Sequence, residues 1–191
     1  MNDPRNIRAI TVYCSSARRV GREFFDAARQ TGRAIAQRGW TLVYGGNHCG
    51  PMGALADGAR EAGGRVVGVT PQFLVDRGIA DRQCDKLVIT ADMHQRKSTM
   101  AELGDAFVCL PGGIGTLEEL METLAWRELR LHNKPVVLVN IAGYYDALLS
   151  FFAHAAGAGF LREGFVEALR VTDNVESALE CLTAAAPPRS R

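Results

Sequence analysis

Seven short runs of apolar and β-branched residues alternate with longer segments of helical periodicity along nearly the whole chain. The runs are residues 10–14, 41–44, 66–70, 87–90, 106–110, 136–140 and 169–172. Most of them are apolar without alternation, which is typical of parallel strands that are buried on both faces. The pattern therefore predicts seven strands of a parallel sheet.

The segments between these runs predict helices. In residues 21–38, apolar side chains recur every three to four positions from Phe24 to Ile35, which defines one helical stripe. Further helices are predicted at residues 52–62, 93–104, 116–129, 144–156 and 174–184. This alternation, with right-handed crossovers, predicts an α/β Rossmann-like fold, an open doubly wound parallel sheet of about seven strands with helices on both faces.

Length and composition narrow the possible functions. The 191 residues predict one domain over residues 1–191, with frayed ends at about 1–6 and 185–191. Lys and Arg number 22 against 21 Asp and Glu, so no basic excess indicates nucleic acid. The absence of a run of about 18 apolar residues argues against a membrane span, and no signal peptide is evident at the N-terminus.

The cysteines and histidines point to no metal or redox site. The five cysteines form no C-x-x-C pair, and the four histidines lack the close spacing of a metal motif. We therefore expect no metal and a reducing, cytoplasmic setting.

Two glycine-rich segments follow predicted strands and lead into predicted helices, where ligands of doubly wound sheets bind. They are residues 45–53 (GGNHCGPMG) and 111–116 (PGGIGT). Glycine allows close backbone approach, and the N–H groups of a helix N-terminus suit a phosphate. Glu118 departs from the dinucleotide fingerprint, and no Lys-Ser/Thr pair follows Gly50, so neither template fits. The segments are either phosphate-binding loops or tight strand–helix turns.

The sequence around Glu119 supports two interpretations of this residue. With Thr116 as N-cap and Glu119 at the third helical position, the segment fits an S/T-x-x-E capping box. On the helix, however, Leu117 and Leu120 share an apolar face, whereas Glu119 lies roughly opposite and is free to face the ligand crevice. A carboxylate there, beside a phosphate-binding loop, is well placed for chemistry.

Arg96 falls inside the apolar stripe of its helix, which Met93, Met100 and Leu103 define. An arginine on a buried face needs an anionic partner. That partner is either a core carboxylate or, in a pocket, a ligand or a catalytic glutamate. The neighbouring Lys97 is less diagnostic, since most lysines lie on a solvated face.

Four segments together resemble the Lonely Guy (LOG) family. They are residues 12–16 (VYCSS), 44–53 (YGGNHCGPMG), 93–97 (MHQRK) and 111–119 (PGGIGTLEE), and the last two resemble the family motifs M-H-x-R-K and PGGxGTxxE. Their order and spacing match across roughly residues 8–180, nearly the whole chain.

The resemblance implies the activity of a cytokinin riboside 5′-monophosphate phosphoribohydrolase. Such enzymes hydrolyse the N-glycosidic bond of an N6-modified adenosine monophosphate, and often of AMP, to free base and ribose 5-phosphate. The resemblance implies a small-molecule nucleotide as ligand, no cofactor, and a homodimer or larger oligomer with the active site near the interface. The apolar run of residues 147–160 fits such an interface or, alternatively, a helix buried within the monomer.

The resemblance also assigns residues. It implies Arg96 and Glu119 as the catalytic pair, with Lys97 and the second glycine loop holding the nucleotide. The substrate-binding positions implied besides Lys97 are Ser16, Gly46, Gly50, Met93, Gly112, Gly113, Ile114, Gly115 and Thr116. Two positions depart from the family pattern, Asn47 in place of a third glycine and Gly78 in place of a glutamate, and they concern recognition of the base or ribose.

Two other functions compete with this one. A non-catalytic nucleotide or cofactor carrier could use the same fold, but the presence of Glu119 counts against it. A lysine decarboxylase, the label that relatives often carry, would need a Schiff-base lysine for pyridoxal phosphate. None of Lys86, Lys97 and Lys134 has a convincing context for that role.

Overall fold

In the computed structural model, which describes residues 7–162 and 164–183, seven parallel strands form one sheet. The strands are β1 (Ala9–Tyr13), β2 (Thr41–Tyr44), β3 (Val66–Pro71), β4 (Lys86–Thr90), β5 (Ala106–Cys109), β6 (Val136–Val139) and β7 (Arg170–Thr172). The helices are α1 (Arg22–Gln37), α2 (Gly50–Glu61), α3 (Gln72–Asp76), α4 (Met93–Leu103), α5 (Ile114–Glu128), α6 (Asp146–Gly157), α7 (Phe165–Ala168) and α8 (Val175–Thr183).

The strand order is β4-β3-β2-β1-β5-β6-β7, so the chain starts in the middle of the sheet and winds outward in both directions. The order reverses between β1 and β5, which pair in parallel from Ile10 with Ala106 to Tyr13 with Cys109. A reversal of this kind leaves a crevice at the carboxyl ends of the two strands, because their following helices go to opposite faces. The predicted fold class is confirmed.

Apolar layers cover both faces of the sheet. On one face, α1, α2 and α8 pack their apolar side chains, among them Ile35, Leu55 and Leu179, into one buried cluster. On the other face, Met100, Leu120 and further side chains of α4, α5 and α6 form a second cluster. Between the two clusters, every residue of β2, β5 and β6 is buried except Thr41, as the unbroken apolar runs predict.

The predicted boundaries differ from the structure mainly at short helices. The sequence pattern missed α3 and α7, because five and four residues are too few to show helical periodicity. The second helix begins at Gly50 rather than at residue 52, with Pro51 in its first turn. The frayed ends expected at 1–6 and 185–191 lie outside the described residues.

No helix among the described residues is both long and apolar enough to cross a membrane. The five cysteines are unpaired thiols. The cytoplasmic location stays a prediction.

Candidate active site

A cavity of about 350 Å³ opens beyond the carboxyl ends of the strands, where the strand order reverses. The turns after β1, β2 and β5 contribute most of its wall, together with α4 and α5. The lining residues are Cys14, Ser15, Ser16, Ala17, Gly45, Asn47, Met52, Leu74, Arg96, Gly113, Gly115, Thr116 and Glu119. The volume falls within the range of small-molecule sites, about 300–1,000 Å³.

Arg96 projects from α4 into the wall of this cavity and is only 6% exposed. Its Nη1 donates to Oε1 of Glu119 at 2.7 Å. Its Nε donates to the carbonyl of Val69 at 3.1 Å, and its Nη2 donates to the carbonyl of Gly45 at 3.3 Å. Of the partners that the sequence left open for Arg96, the structure shows a glutamate in the wall of a pocket.

Gly45 has no side chain because the guanidinium takes that space. A Cβ atom on Gly45 would lie 2.1 Å from Nη2 of Arg96, well inside the closest approach of unbonded atoms. The next residue, Gly46, is glycine for a different reason, since its φ of +66° lies in the left-handed region. Gly45 thus leaves space for the Arg96 guanidinium, and Gly46 allows the chain to turn.

Glu119 lies in α5 and is 5% exposed, and its carboxylate interacts electrostatically with Tyr13 and Cys109 at the ends of β1 and β5. Burial raises the pKa of Glu119 above its ordinary value, while the Arg96 guanidinium opposes that rise. The carboxylate therefore takes up a proton at a higher pH than an exposed glutamate would.

The capping-box interpretation of Glu119 is wrong. The helix begins at Ile114 with Gly113 as N-cap, two residues before the predicted start. Thr116 is therefore already the third helical residue, and Glu119 lies in the second turn, beyond reach of the N-cap. Thr116 instead folds over Gly112, where a Cβ atom would lie 2.1 Å from the Thr116 hydroxyl.

The N-terminus of α5 faces open space in the cavity. A Cβ atom on Gly113 or Gly115 would meet nothing within 4 Å, and both residues line the cavity. No side chain caps this helix end, so its first N–H groups are available to an anion. The loop before it is held in place, because the Tyr144 hydroxyl donates to the carbonyl of Gly112 at 2.8 Å.

A buried aspartate anchors the other glycine loop. Asp81 is 2% exposed, and its carboxylate accepts hydrogen bonds from the Tyr44 hydroxyl at 2.7 Å and from Arg60 at 2.8 Å. Its own N–H donates to the carbonyl of Gly46 at 2.8 Å. These bonds hold the backbone on both sides of Gly45, whose carbonyl receives Arg96. Sequence analysis did not single out Asp81, because nothing in its local pattern indicates burial.

The structure brings six of the predicted site residues to the cavity wall. They are Ser16, Arg96, Gly113, Gly115, Thr116 and Glu119. The other six, which lie outside the described lining, are Gly46, Gly50, Met93, Lys97, Gly112 and Ile114. Of these, Gly50 packs under the wall, because its Cβ would lie 2.5 Å from the carbonyl of Ala17.

Several lining residues escaped sequence analysis as site residues. Cys14, Ser15 and Ala17 directly follow β1, so the rule that ligands bind beyond strand ends could have found them. Leu74 lies on the five-residue α3, whose position over the cavity no sequence signal indicates.

Lys97, although next to Arg96 in α4, makes different contacts. Its ammonium group is bound to the carboxylates of Glu118 and Glu122 on α5, and its side chain is 5% exposed. Lys97 is therefore not the solvated lysine that is common on helices, and its role in holding the nucleotide stays a prediction.

Comparisons with known proteins agree with the sequence motifs. The family model described as possible lysine decarboxylase matches residues 52–182. The chain is 44% identical over 176 residues to the cytokinin riboside 5′-monophosphate phosphoribohydrolase of Rhodococcoides fascians, which covers 92% of this chain and 89% of that protein. It is 43% identical over 172 residues to the protein of the same name from Mycobacterium tuberculosis, covering 89% and 90% of the two chains.

A solved structure with the same fold bears on the carrier alternative. The molybdenum cofactor carrier protein of Chlamydomonas reinhardtii is similar with a TM-score of 0.69 and 25% sequence identity. The match covers 94% of this chain and 100% of that one.

Proposed function

The chain belongs to the Lonely Guy family of phosphoribohydrolases, and on that premise we propose that it hydrolyses the N-glycosidic bond of AMP-type nucleotides. The substrates are N6-modified AMP such as isopentenyl-AMP, and AMP itself. Water is consumed, and the products are the free base and ribose 5-phosphate. The observation that carries the proposal is the Glu119 carboxylate, buried at 2.7 Å from Arg96 in the wall of the cavity.

Glu119 supplies the charge that the reaction needs. Breaking an N-glycosidic bond builds positive charge on the ribose, in a transition state that resembles an oxocarbenium ion. A carboxylate beside C1′ stabilises this charge and accepts the proton of the attacking water. Because Glu119 is shielded from solvent, its charge acts more strongly there than it would in water.

Arg96 orients that carboxylate. Sequence analysis left two roles open, a donor to the departing base or a group that positions Glu119. The direct bond from Nη1 to Oε1 favours positioning, and the carbonyls of Gly45 and Val69 hold the guanidinium plane in a single orientation.

The N-terminus of α5 binds the 5′-phosphate. Gly113 and Gly115 leave room for it, and Thr116 adds a side-chain hydroxyl at the same helix end. Backbone N–H groups and the positive end of the helix dipole favour a phosphate there. Binding energy at the phosphate then positions the sugar against Glu119, and the scheme needs neither a metal ion nor an organic cofactor.

The competing functions fit the site less well. A carrier that only binds its cofactor needs no carboxylate for bond breaking, so the buried Glu119 in the cavity wall favours a hydrolase over a carrier. A decarboxylase with pyridoxal phosphate needs a lysine at the site, but none of the three lysines belongs to the described cavity lining. Lys97 is bound to two carboxylates, and Lys134 donates to the carbonyls of Ala101 and Gly104.

The oligomeric proposal rests on exposed apolar side chains. Phe151 of α6 is 60% exposed and Phe160 is 86% exposed, so the alternative of a helix buried within the monomer is wrong. Leu129 and Leu131, which follow α5, are 66% and 70% exposed. Large exposed apolar side chains in these numbers are typical of an interface, and we infer a homodimer or larger homo-oligomer.

Replacing Glu119 with Gln should lower kcat for isopentenyl-AMP by about a hundredfold or more, the scale of losing one transition-state electrostatic group. In the wild-type enzyme, kcat should fall as the pH drops through the raised pKa of Glu119, because only the carboxylate form is active. The midpoint of this fall, the acidic limb of the pH profile of kcat, should therefore lie above 4.5, the ordinary pKa of a glutamate. Free base released at each pH, measured by chromatography, gives both results.

Glu128→Gln is the matched control, because Glu128 lies on the same helix and is ion-paired with Arg162. It should keep kcat within about twofold, as ordinary surface substitutions do. Near-normal turnover in the Glu119→Gln enzyme would refute the catalytic role of this carboxylate.

AMP should be cleaved about a hundredfold or more efficiently than adenosine, because a charge-assisted phosphate contact contributes a few kcal/mol and each 1.4 kcal/mol or so is tenfold. Gly115→Ala, which places a methyl group in the open space at the α5 N-terminus, should lower kcat/KM for AMP by about tenfold or more. It should change the adenosine rate far less.

Gly157→Ala on α6 is the control, because a Cβ there also meets nothing within 4 Å but lies away from the cavity. Equal kcat/KM values for adenosine and AMP would mean that the second glycine loop is only a turn.

Light scattering at micromolar concentration should give a particle of at least twice the chain mass of 20.7 kDa. Burial of the exposed phenylalanines and leucines drives this association. A particle of the chain mass would contradict the oligomeric proposal.

A further inference from the structure

Three ion pairs lie side by side between α4 and α5. Arg96 and Lys97 are consecutive residues of α4, and each is bound to α5. Arg96 binds Glu119, while Lys97 binds Glu118, the residue just before it, and Glu122, with Nζ 3.1 Å from Oε2 of Glu122. The ion pairs of Lys97 therefore belong to the same contact between α4 and α5 as the proposed catalytic pair.

The Lys97 ammonium points to α5 and not to the cavity, since it is bound to Glu118 and Glu122 and Lys97 is not among the described lining residues. Its side chain is 5% exposed, and it lies outside the cavity lining among the described residues. Burial opposes the charged form, yet Glu118 and Glu122 outweigh it and raise the pKa of Lys97. An ammonium group that already binds two carboxylates has little capacity left for a phosphate.

We propose that Lys97 is a positioning residue, not a nucleotide ligand: it holds α5 against α4 and neutralises Glu118 and Glu122, so that Arg96 is left to pair with Glu119 alone. The inference deepens the proposed function and rests on it.

Every charge around Glu119 bears on this proposal. Glu118 raises the pKa of Glu119, whereas Arg96 and Lys97 lower it, against the larger effect of burial. Three further titratable side chains interact electrostatically with Glu119, and burial raises the pKa of each, so that they stay neutral near pH 7: Tyr13 of β1, Cys14, which follows β1, and Cys109 of β5. Among the charged neighbours, Lys97 and Glu118 can be changed without altering the described cavity wall, whereas Arg96 belongs to that wall.

The test compares Lys97→Met, Glu118→Gln and the double variant with the wild type. Lys97→Met should shift the acidic limb of kcat for AMP upward by about one pH unit, because two carboxylates lose their partner. Glu118→Gln should shift it downward by about half a unit, and the double variant should return close to the wild type. KM for AMP should change less than about threefold in all of them, since no nucleotide contact is lost.

Two results would overturn the proposal. If Lys97 binds the nucleotide, Lys97→Met raises KM about tenfold or more at every pH and Glu118→Gln does not restore it. If Lys97 is merely structural, melting temperatures fall but the acidic limb stays where it is. Should Lys97→Met fail to fold, Glu118→Gln decides, because Glu118 is half exposed: a downward shift supports the proposal and an unmoved limb refutes it.

A second readout separates this inference from the proposed function. NMR titration of the Glu119 carboxyl carbon in protein carrying isotope-labelled glutamate, assigned with Glu119→Gln, follows the same proton without turnover. Matching shifts in an enzyme that does not cleave AMP would support the role of Lys97 and refute the hydrolase. If the wild-type enzyme cleaves AMP but the pKa of Glu119 shifts in none of the variants, the hydrolase is supported and the role of Lys97 is refuted.

Discussion

The buried ion pair between Arg96 and Glu119 is the constraint on which the rest of the site depends. Removing two charges from water costs several kcal/mol per ion, and their attraction offsets this only when further hydrogen bonds complete the arrangement. Arg96 obtains these bonds from the carbonyls of Val69 in β3 and of Gly45, which follows β2. One guanidinium thus joins the ends of two strands to α5, and Asp81 fixes the backbone on which it rests. A buried ion pair contributes little to the net free energy of folding. The position of this pair in the cavity wall therefore favours a role in the reaction over a role in stability.

The two glycine loops serve this pair in different ways. In the first, Gly45 leaves space for the guanidinium and Gly46 allows a left-handed turn. In the second, Gly113 and Gly115 border open space at a helix N-terminus that carries no side-chain cap. One loop therefore shapes the protein around its own arginine, and the other leaves room for a ligand. Together they place a carboxylate and an uncapped helix N-terminus on the same cavity, which in our proposal serve the sugar and the phosphate of a nucleotide monophosphate.

Much of this could be predicted from sequence, for identifiable reasons. Seven unbroken apolar runs between long helices allow few architectures, so the doubly wound sheet was predictable. Arg96 stood out because a charge on an apolar stripe needs a partner. The sequence alone could not select Glu119 as its partner, because the distance between the two helices depends on the packing of the whole sheet. The capping-box prediction was wrong because α5 begins at Ile114, two residues before the predicted start. The burial of Lys97 could not be foreseen, since its partners lie on another helix.

The central claim is that the α5 N-terminus holds the phosphate while Glu119 faces the bond that breaks. The most direct measurement is a crystal structure of the Glu119→Gln variant with AMP, in which slow turnover preserves the substrate. We expect the phosphate against the backbone N–H groups of Gly113, Gly115 and Thr116, with ribose C1′ in contact with the side chain at position 119. A phosphate bound elsewhere, or a C1′ directed away from position 119 and Arg96, would contradict it.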